Sequence, residues 1–100
     1  MNIQIIGENF KINDRIRKIV NDKIGDLEKY LKHFEEDMKD ATVKIQKRKD
    51  WGYKVNFNMW LPGKKEIFAE AKHKELTPAL VSLREKLEVQ IKKYKDKLNK

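Results

Sequence analysis

The chain has 100 residues, which is enough for one compact domain and too few for two. It contains no cysteine, so disulfide frameworks and thiolate chemistry are excluded, and no apolar run approaches the length of a membrane span. Lysine and arginine total 24 against 16 acidic residues, which gives a net charge of +8. This charge favours nucleic acid as partner, with an anionic membrane second and simple solubility as the alternative.

The first predicted elements are a strand and a helix. Residues 2–7 alternate in a way that predicts a short strand. Asn13 is expected to cap a helix that runs through about Phe34, because apolar residues then recur every three or four positions. Those residues are Ile16, Ile19, Val20, Ile24, Leu27, Tyr30 and Leu31. Gly25 inside this helix costs roughly 1 kcal/mol relative to alanine, and it marks either close packing or nothing.

Three strands are predicted in the middle of the chain. Residues 35–40 are expected to form an acidic connector, after which period-two alternation predicts strands at 41–46 and 53–60. A turn over 61–65 leads into a further strand at 66–72. Each strand therefore has one buried and one solvated face.

The last quarter of the chain, residues 76–100, predicts one long helix. We expect Thr77 to cap it and Pro78 to occupy its first helical position. Its apolar stripe consists of Leu76, Leu80, Leu83, Leu87, Ile91, Tyr94 and Leu98. Lysines crowd the rest of its C-terminal half, where Asp96 is the only acidic residue.

The predicted order is β-α-β-β-β-α, which indicates a single α+β domain over residues 1–100. The first βαβ unit is a crossover, so its two strands should be parallel, whereas the hairpins make the remaining pairs antiparallel. Because only one sheet face is apolar, both helices should pack on that face of the four-stranded mixed sheet.

Catalytic and metal-binding motifs are missing from the sequence. His33 and His73 fall in different elements, and neither has the spacing of a zinc site. There is no glycine-rich phosphate loop, and no nucleophile has a recognisable activating partner. We therefore expect a protein that is not an enzyme, with no metal, cofactor or small-molecule substrate.

Charge on the helices is the stronger signal. If the two helices lie side by side, their outward cations form one phosphate-binding surface with little sequence preference. The alternative is that these cations only solvate exposed helix faces and pair with nearby acids. On the open sheet face, Trp60 and Phe68 near Lys54 and Lys72 either stack bases or cover each other.

The order of elements and the patterns at residues 2–7, 12–30, 66–71 and 86–98 resemble the ribosome hibernation-promoting factors and ribosome-associated inhibitors. This family is also called ribosome subunit interface or sigma-factor modulation proteins. The resemblance implies a cytoplasmic factor that binds small-subunit rRNA in the mRNA–tRNA channel and keeps ribosomes idle under stress. It implies no membrane contact, and we expect a monomer away from the ribosome.

The resemblance also implies which residues bind RNA. The basic positions that match family members are Arg17, Lys23, Lys86, Lys93, Lys95 and Lys97. Arg84 and Lys92 are added on charge alone. Residues 75–81 lack the tyrosine and second acid that often begin the family's second helix. The chain also lacks the linker and dimerisation domain of long members, so it is expected to be a short form or one domain of a longer protein.

Two other functions remain open on the sequence alone. One is a general double-stranded RNA-binding domain, which has a similar α-β-β-β-α order and reads duplex shape. The other is a protein-interaction module whose basic face meets an acidic protein.

Overall fold

The computed structural model describes residues 2–32, 40–61 and 63–98. The strands are β1 (Asn2–Glu8), β2 (Asp40–Arg48), β3 (Gly52–Leu61) and β4 (Lys65–His73). The α-helices are α1 (Asp14–Ile24), which is followed by the 3-10 helix Gly25–Tyr30, and α2 (Leu76–Leu98). The predicted α+β fold and its β-α-β-β-β-α order are confirmed.

The four strands form one mixed sheet in the order β1-β2-β3-β4. β1 and β2 are parallel, with Ile5 opposite Val43, whereas the β2–β3 and β3–β4 pairs are antiparallel. Since β1 and β2 run in the same direction, the chain must cross the sheet between them, and α1 lies in that crossover.

Both helices cover the same face of the sheet. The alternating residues Val43, Phe57 and Ile67 of neighbouring strands are fully buried there, and Leu83 and Leu87 of α2 close the core above them. The opposite sheet face is open to solvent, as the period-two patterns predicted, and it carries polar side chains together with the exposed aromatic rings of Trp60 and Phe68.

The first helical stretch consists of two segments with different winding. Asn13 caps α1 as predicted, because its Oδ1 accepts a hydrogen bond from the Ile16 N–H at 2.9 Å. The change to 3-10 winding falls at Gly25, where an added Cβ would meet nothing within 4 Å, so close packing is not the reason for this glycine. The helical stretch ends at Tyr30, before the predicted boundary, and Phe34 lies outside the described residues.

The helix α2 begins at residue 76 as predicted, but its N-terminal cap differs from the prediction. The helix begins at Leu76, and the Ala79 N–H donates to the Glu75 carbonyl oxygen at 3.3 Å, so Thr77 is not the cap. Instead, His73 Nδ1 accepts a hydrogen bond from the Glu75 N–H at 3.0 Å. Pro78 lies within the first helical turn, where its missing N–H still removes no helical hydrogen bond.

The outer edge of β4 is fastened to α2 by side chains. Gln90 Nε2 donates to the Phe68 carbonyl oxygen at 2.6 Å, and Gln90 Oε1 accepts from the Phe68 N–H at 3.3 Å. One turn earlier, Lys86 Nζ donates to the Glu70 carbonyl oxygen at 2.7 Å. Unpaired edge groups otherwise invite pairing with another chain, so these contacts both anchor the helix and protect the edge.

Replacing Gln90 by alanine is expected to lower the free energy of unfolding by about 1 kcal/mol, because water replaces two backbone contacts at an exposed edge. Amide hydrogen exchange at Phe68 should become faster, which NMR measures directly. Val89→Ala is the control, since Val89 is exposed on the same helix. Equal protection of the Phe68 amide in both variants would contradict the fastening role of Gln90.

Candidate nucleic-acid interface

The cations of α2 lie on two opposite flanks of the helix. Successive helical residues are about 100° apart, which places Arg84, Lys92 and Lys95 on one side and Lys86, Lys93 and Lys97 on the other. The contacts agree with this division: Arg84 reaches the 3-10 helix, whereas Lys86 reaches β4. The crest between the flanks carries Glu85, Val89 and Asp96.

On the flank that faces the 3-10 helix, cations from two segments converge on one aromatic ring. Lys29 Nζ lies 5.2 Å and Lys92 Nζ lies 5.5 Å from the centre of the Tyr30 ring. The negative face of the ring attracts both ammonium groups and offsets part of their mutual repulsion. Lys95 follows Lys92 by three residues and lies on the same flank. These residues, Lys29, Tyr30, Lys92 and Lys95, are called the tyrosine-centred cation cluster.

Arg84 occupies this flank as well, but nearby acids compensate its charge. Its Nη1 lies 3.1 Å from Asp26 Oδ2, and its Nε lies 3.8 Å from Glu88 Oε1. The side chain is partly buried and connects α2 to the 3-10 helix. The geometry therefore favours a structural role for Arg84 over phosphate binding.

The flank above β4 carries Lys86, Lys93 and Lys97, all exposed. Lys86 is held at the strand edge by its bond to the Glu70 carbonyl oxygen. Lys93 and Lys97 form no ion pair with any residue that the structure describes, so their full charge is available to a partner.

The two predicted residues of α1 are separated from each other. Lys23 continues the row of Ile16 and Ile19, which lines a groove beside the start of α2, and it is only partly exposed. Arg17 is two positions before Ile19, so it lies almost opposite to it and points away from α2. The eight residues predicted to bind RNA are thus not gathered into one patch, and their RNA-binding role stays a prediction.

Sequence reasoning missed Lys29 and Tyr30 as members of the site. The helical period places Tyr30 in the apolar stripe, and Lys29 is one of several cations around that stripe. The adjacent Lys-Tyr pair near the end of the helix was the available signal. This pair belongs to the site only because Lys92 lies over the same ring, and Lys92 is distant in the chain and meets the ring only after folding.

The charges and the fold define a class of protein: a small basic α+β domain with a four-stranded mixed sheet and lysine-rich flanks on its second helix. The chain belongs to the family described as sigma 54 modulation protein / S30EA ribosomal protein, whose model matches residues 3–99. The resemblance found in the sequence is therefore confirmed. In the part of the chain that the structure describes, no helix is both long and apolar enough to span a bilayer.

Curated relatives carry the name ribosome hibernation promotion factor. The chain is 34% identical to the one from Lactococcus lactis over 97 residues, which cover 96% of this chain and 50% of the relative. The factor from Staphylococcus aureus is 29% identical over 98 residues, covering 97% of this chain and 50% of the relative. The chain thus spans about half the length of the curated relatives it matches.

Solved structures with the same fold extend the likeness. The N-terminal domain of Thermus thermophilus Protein Y superposes with a TM-score of 0.80 at 28% identity, covering 94% of this chain and 99% of that one. A ribosomal subunit interface protein from Coxiella burnetii gives a TM-score of 0.78 at 26% identity, covering 96% and 99%.

Proposed function

We propose that this chain is a ribosome-binding hibernation domain that docks on small-subunit rRNA in the mRNA–tRNA channel and keeps the ribosome idle without catalysis. The observation that carries the proposal is the tyrosine-centred cation cluster, in which Lys29 and Lys92 approach one ring from two different segments. Membership of the family and the hibernation factors among its relatives support the ribosome as the partner. Such a role would place the protein in the cytoplasm.

The arrangement of cations suits the RNA backbone more than a single base. Lysine is a compact charge on a flexible stem, so it binds phosphate without demanding one orientation. The 23 residues of α2 span about 35 Å, and lysines occur along both flanks of its C-terminal half. A structured RNA that follows the helix would contact several lysines, and the release of counterions would drive the association.

In this proposal, translation is silenced because the domain occupies the channel. The helices are fixed on the sheet by a continuous apolar core and by the contacts of Gln90 and Lys86 at the β4 edge. A domain that is already rigid loses little conformational entropy on docking. Most of the favourable free energy of its charge contacts therefore contributes to the affinity. Blocking the channel sterically would then exclude mRNA and tRNA.

The experiment compares binding of the chain to purified small ribosomal subunits and to a free RNA duplex at physiological salt. We expect cosedimentation with small subunits at least tenfold tighter than duplex binding, because channel walls present phosphates to both flanks of α2 simultaneously. Equal affinity for the duplex would instead favour a general double-stranded RNA binder. A partner that survives RNase in a pull-down, with no subunit binding, would favour an acidic protein.

A further inference from the structure

An aromatic surface is exposed on the sheet face that lies opposite to the helices. Trp60 is 55% exposed and Phe68 is 46% exposed, although both are large apolar side chains. Trp60 pairs with Glu66 across β3 and β4, and Phe68 pairs with Asn58, so the two rings are diagonal neighbours on one face. Neither is required for the core, which is on the other side of the sheet.

Two carboxylates flank Trp60 within its own row of the sheet. Glu66 is directly opposite on β4. On the other side, Ala41 pairs with Met59, so the next residues in register place Asp40 opposite Trp60. We call Asp40, Trp60, Glu66 and Phe68 the aromatic–acidic surface.

The charge of this surface is not compensated by nearby lysines. Asp40 accepts one hydrogen bond, from Asn2 Nδ2 at 3.1 Å, and Glu66 forms no ion pair with any described residue. Lys65 precedes Glu66, so by strand alternation it points to the helix side of the sheet. The row that contains Phe68 is completed by uncharged residues, namely Gln4, Thr42 and Asn58.

Three lysines of the open face have partners away from Trp60. Lys44 Nζ lies 2.9 Å from Glu8 Oε2, and this bond, with a second from Gln46, holds the pKa of the Glu8 carboxyl below its usual value. Lys54 Nζ lies 3.4 Å from Glu70 Oε2. At the far end of β4, Lys72 Nζ lies 5.2 Å from the centre of the Trp51 ring.

These contacts determine which kind of partner the exposed aromatic side chains can bind. Stacked bases would bring phosphates towards Asp40 and Glu66, whose charge repels them, and the row of the sheet that contains Trp60 consists of Asn2, Asp40, Trp60 and Glu66, so it holds no lysine to offset that repulsion. An arginine or lysine side chain has the complementary charge. It would stack on the indole face while the carboxylates on both sides bind its cationic head.

We propose that the aromatic–acidic surface docks an arginine- or lysine-rich protein segment, with one cationic side chain stacked on Trp60 between Asp40 and Glu66. An open depression of about 460 Å³ beside Trp60 gives an extended segment room to lie across the sheet. Its amide-bearing lining residues, Asn2, Gln4 and Asn58, provide hydrogen bonds for a peptide backbone. Because this face is opposite to the helices, a basic segment and an RNA can bind the chain simultaneously.

The test titrates the intact chain with a fluorescent peptide of alternating arginine and glycine, and separately with an oligouridine of similar length. We expect saturable peptide binding that shifts the NMR signals of Asp40, Trp60 and Glu66. The double variant D40N/E66Q should weaken it roughly tenfold, through loss of two charge contacts to the cation. The control D22N/E85Q removes two exposed helical carboxylates and the same amount of charge, so it should change affinity less than twofold.

Each other outcome overturns the proposal. The chain carries a net charge of +8 and repels a cationic peptide in general. Peptide binding that D40N/E66Q weakens and D22N/E85Q does not therefore cannot come from the overall charge of the protein. Equal weakening by both double variants, or no peptide binding, would reject the site. If oligouridine shifts the NMR signal of Trp60 and the peptide does not displace it, this face binds RNA and not a basic segment. Trp60→Ser provides a second variant, since its exposed ring can be removed without opening the core.

Discussion

Reversing the charge of Lys29 and Lys92 together is expected to reduce affinity for small ribosomal subunits by about 100-fold or more. Each lysine would lose a charge-assisted bond to phosphate, typically about 1.5–3 kcal/mol, and each new glutamate would add repulsion. The dependence of log affinity on log salt should fall in slope by about 2, because two phosphates are no longer neutralised. Cosedimentation at salt concentrations between about 50 and 200 mM measures both quantities.

The matched control for this prediction is K11E/K49E, which changes the net charge by the same amount at two exposed lysines outside the cluster. It should reduce affinity only by the general electrostatic effect, about threefold. If K11E/K49E weakens binding as much as K29E/K92E, net charge and not the tyrosine-centred cation cluster determines the association, and the proposed docking geometry is wrong.

A third variant examines the flank above β4. Reversing Lys93 and Lys97 is preferable to reversing Lys86, because Lys86 also holds the Glu70 carbonyl oxygen and its replacement would loosen α2. If both K93E/K97E and K29E/K92E reduce the affinity for small subunits, the RNA contacts both flanks. A reduction confined to K29E/K92E would place the RNA on the side of the 3-10 helix.

Replacing Gly52 by alanine is expected to lower the free energy of unfolding by about 3 kcal/mol or more. Gly52 has φ of +100°, which a side chain disfavours, and it closes the three-residue loop between β2 and β3. An added Cβ would lie 2.5 Å from Lys74 Cα and 2.6 Å from the His73 carbonyl oxygen. These are backbone atoms at the end of β4, so they cannot swing away as a side-chain tip would.

Thermal unfolding measures this effect, and for a domain of this size the midpoint should fall by more than about 10 °C. Gly25→Ala is the control: Gly25 has a right-handed helical conformation with open space at its Cβ position. That variant should be more stable than the parent by about 0.5–1 kcal/mol. A Gly52→Ala protein as stable as the parent would mean that the loop and the end of β4 separate at little cost.

Most of the fold could be predicted from local pattern. A strand with one buried face must alternate, and an amphipathic helix must repeat every three or four residues, so the elements at 41–46, 53–60 and 76–98 are visible in the chain itself. The parallel pairing of β1 and β2 follows from the helix between them. The boundaries were predicted less accurately. The winding changes at Gly25, and Thr77 does not cap α2, because individual hydrogen bonds such as that from the Glu75 N–H to His73 decide where an element begins or ends, and periodicity does not show them.

The sequence alone determined that this protein is a basic α+β domain, since composition and periodicity are properties of neighbouring residues. Only the tertiary structure decided which cations are available. Arg84 is compensated by Asp26, Lys86 is bound to β4, and Lys92 joins Lys29 over Tyr30. The same is true of Trp60, whose row in the sheet contains carboxylates and not lysines. Availability of a charge depends on partners that are remote in the chain and meet only when the sheet and helices pack.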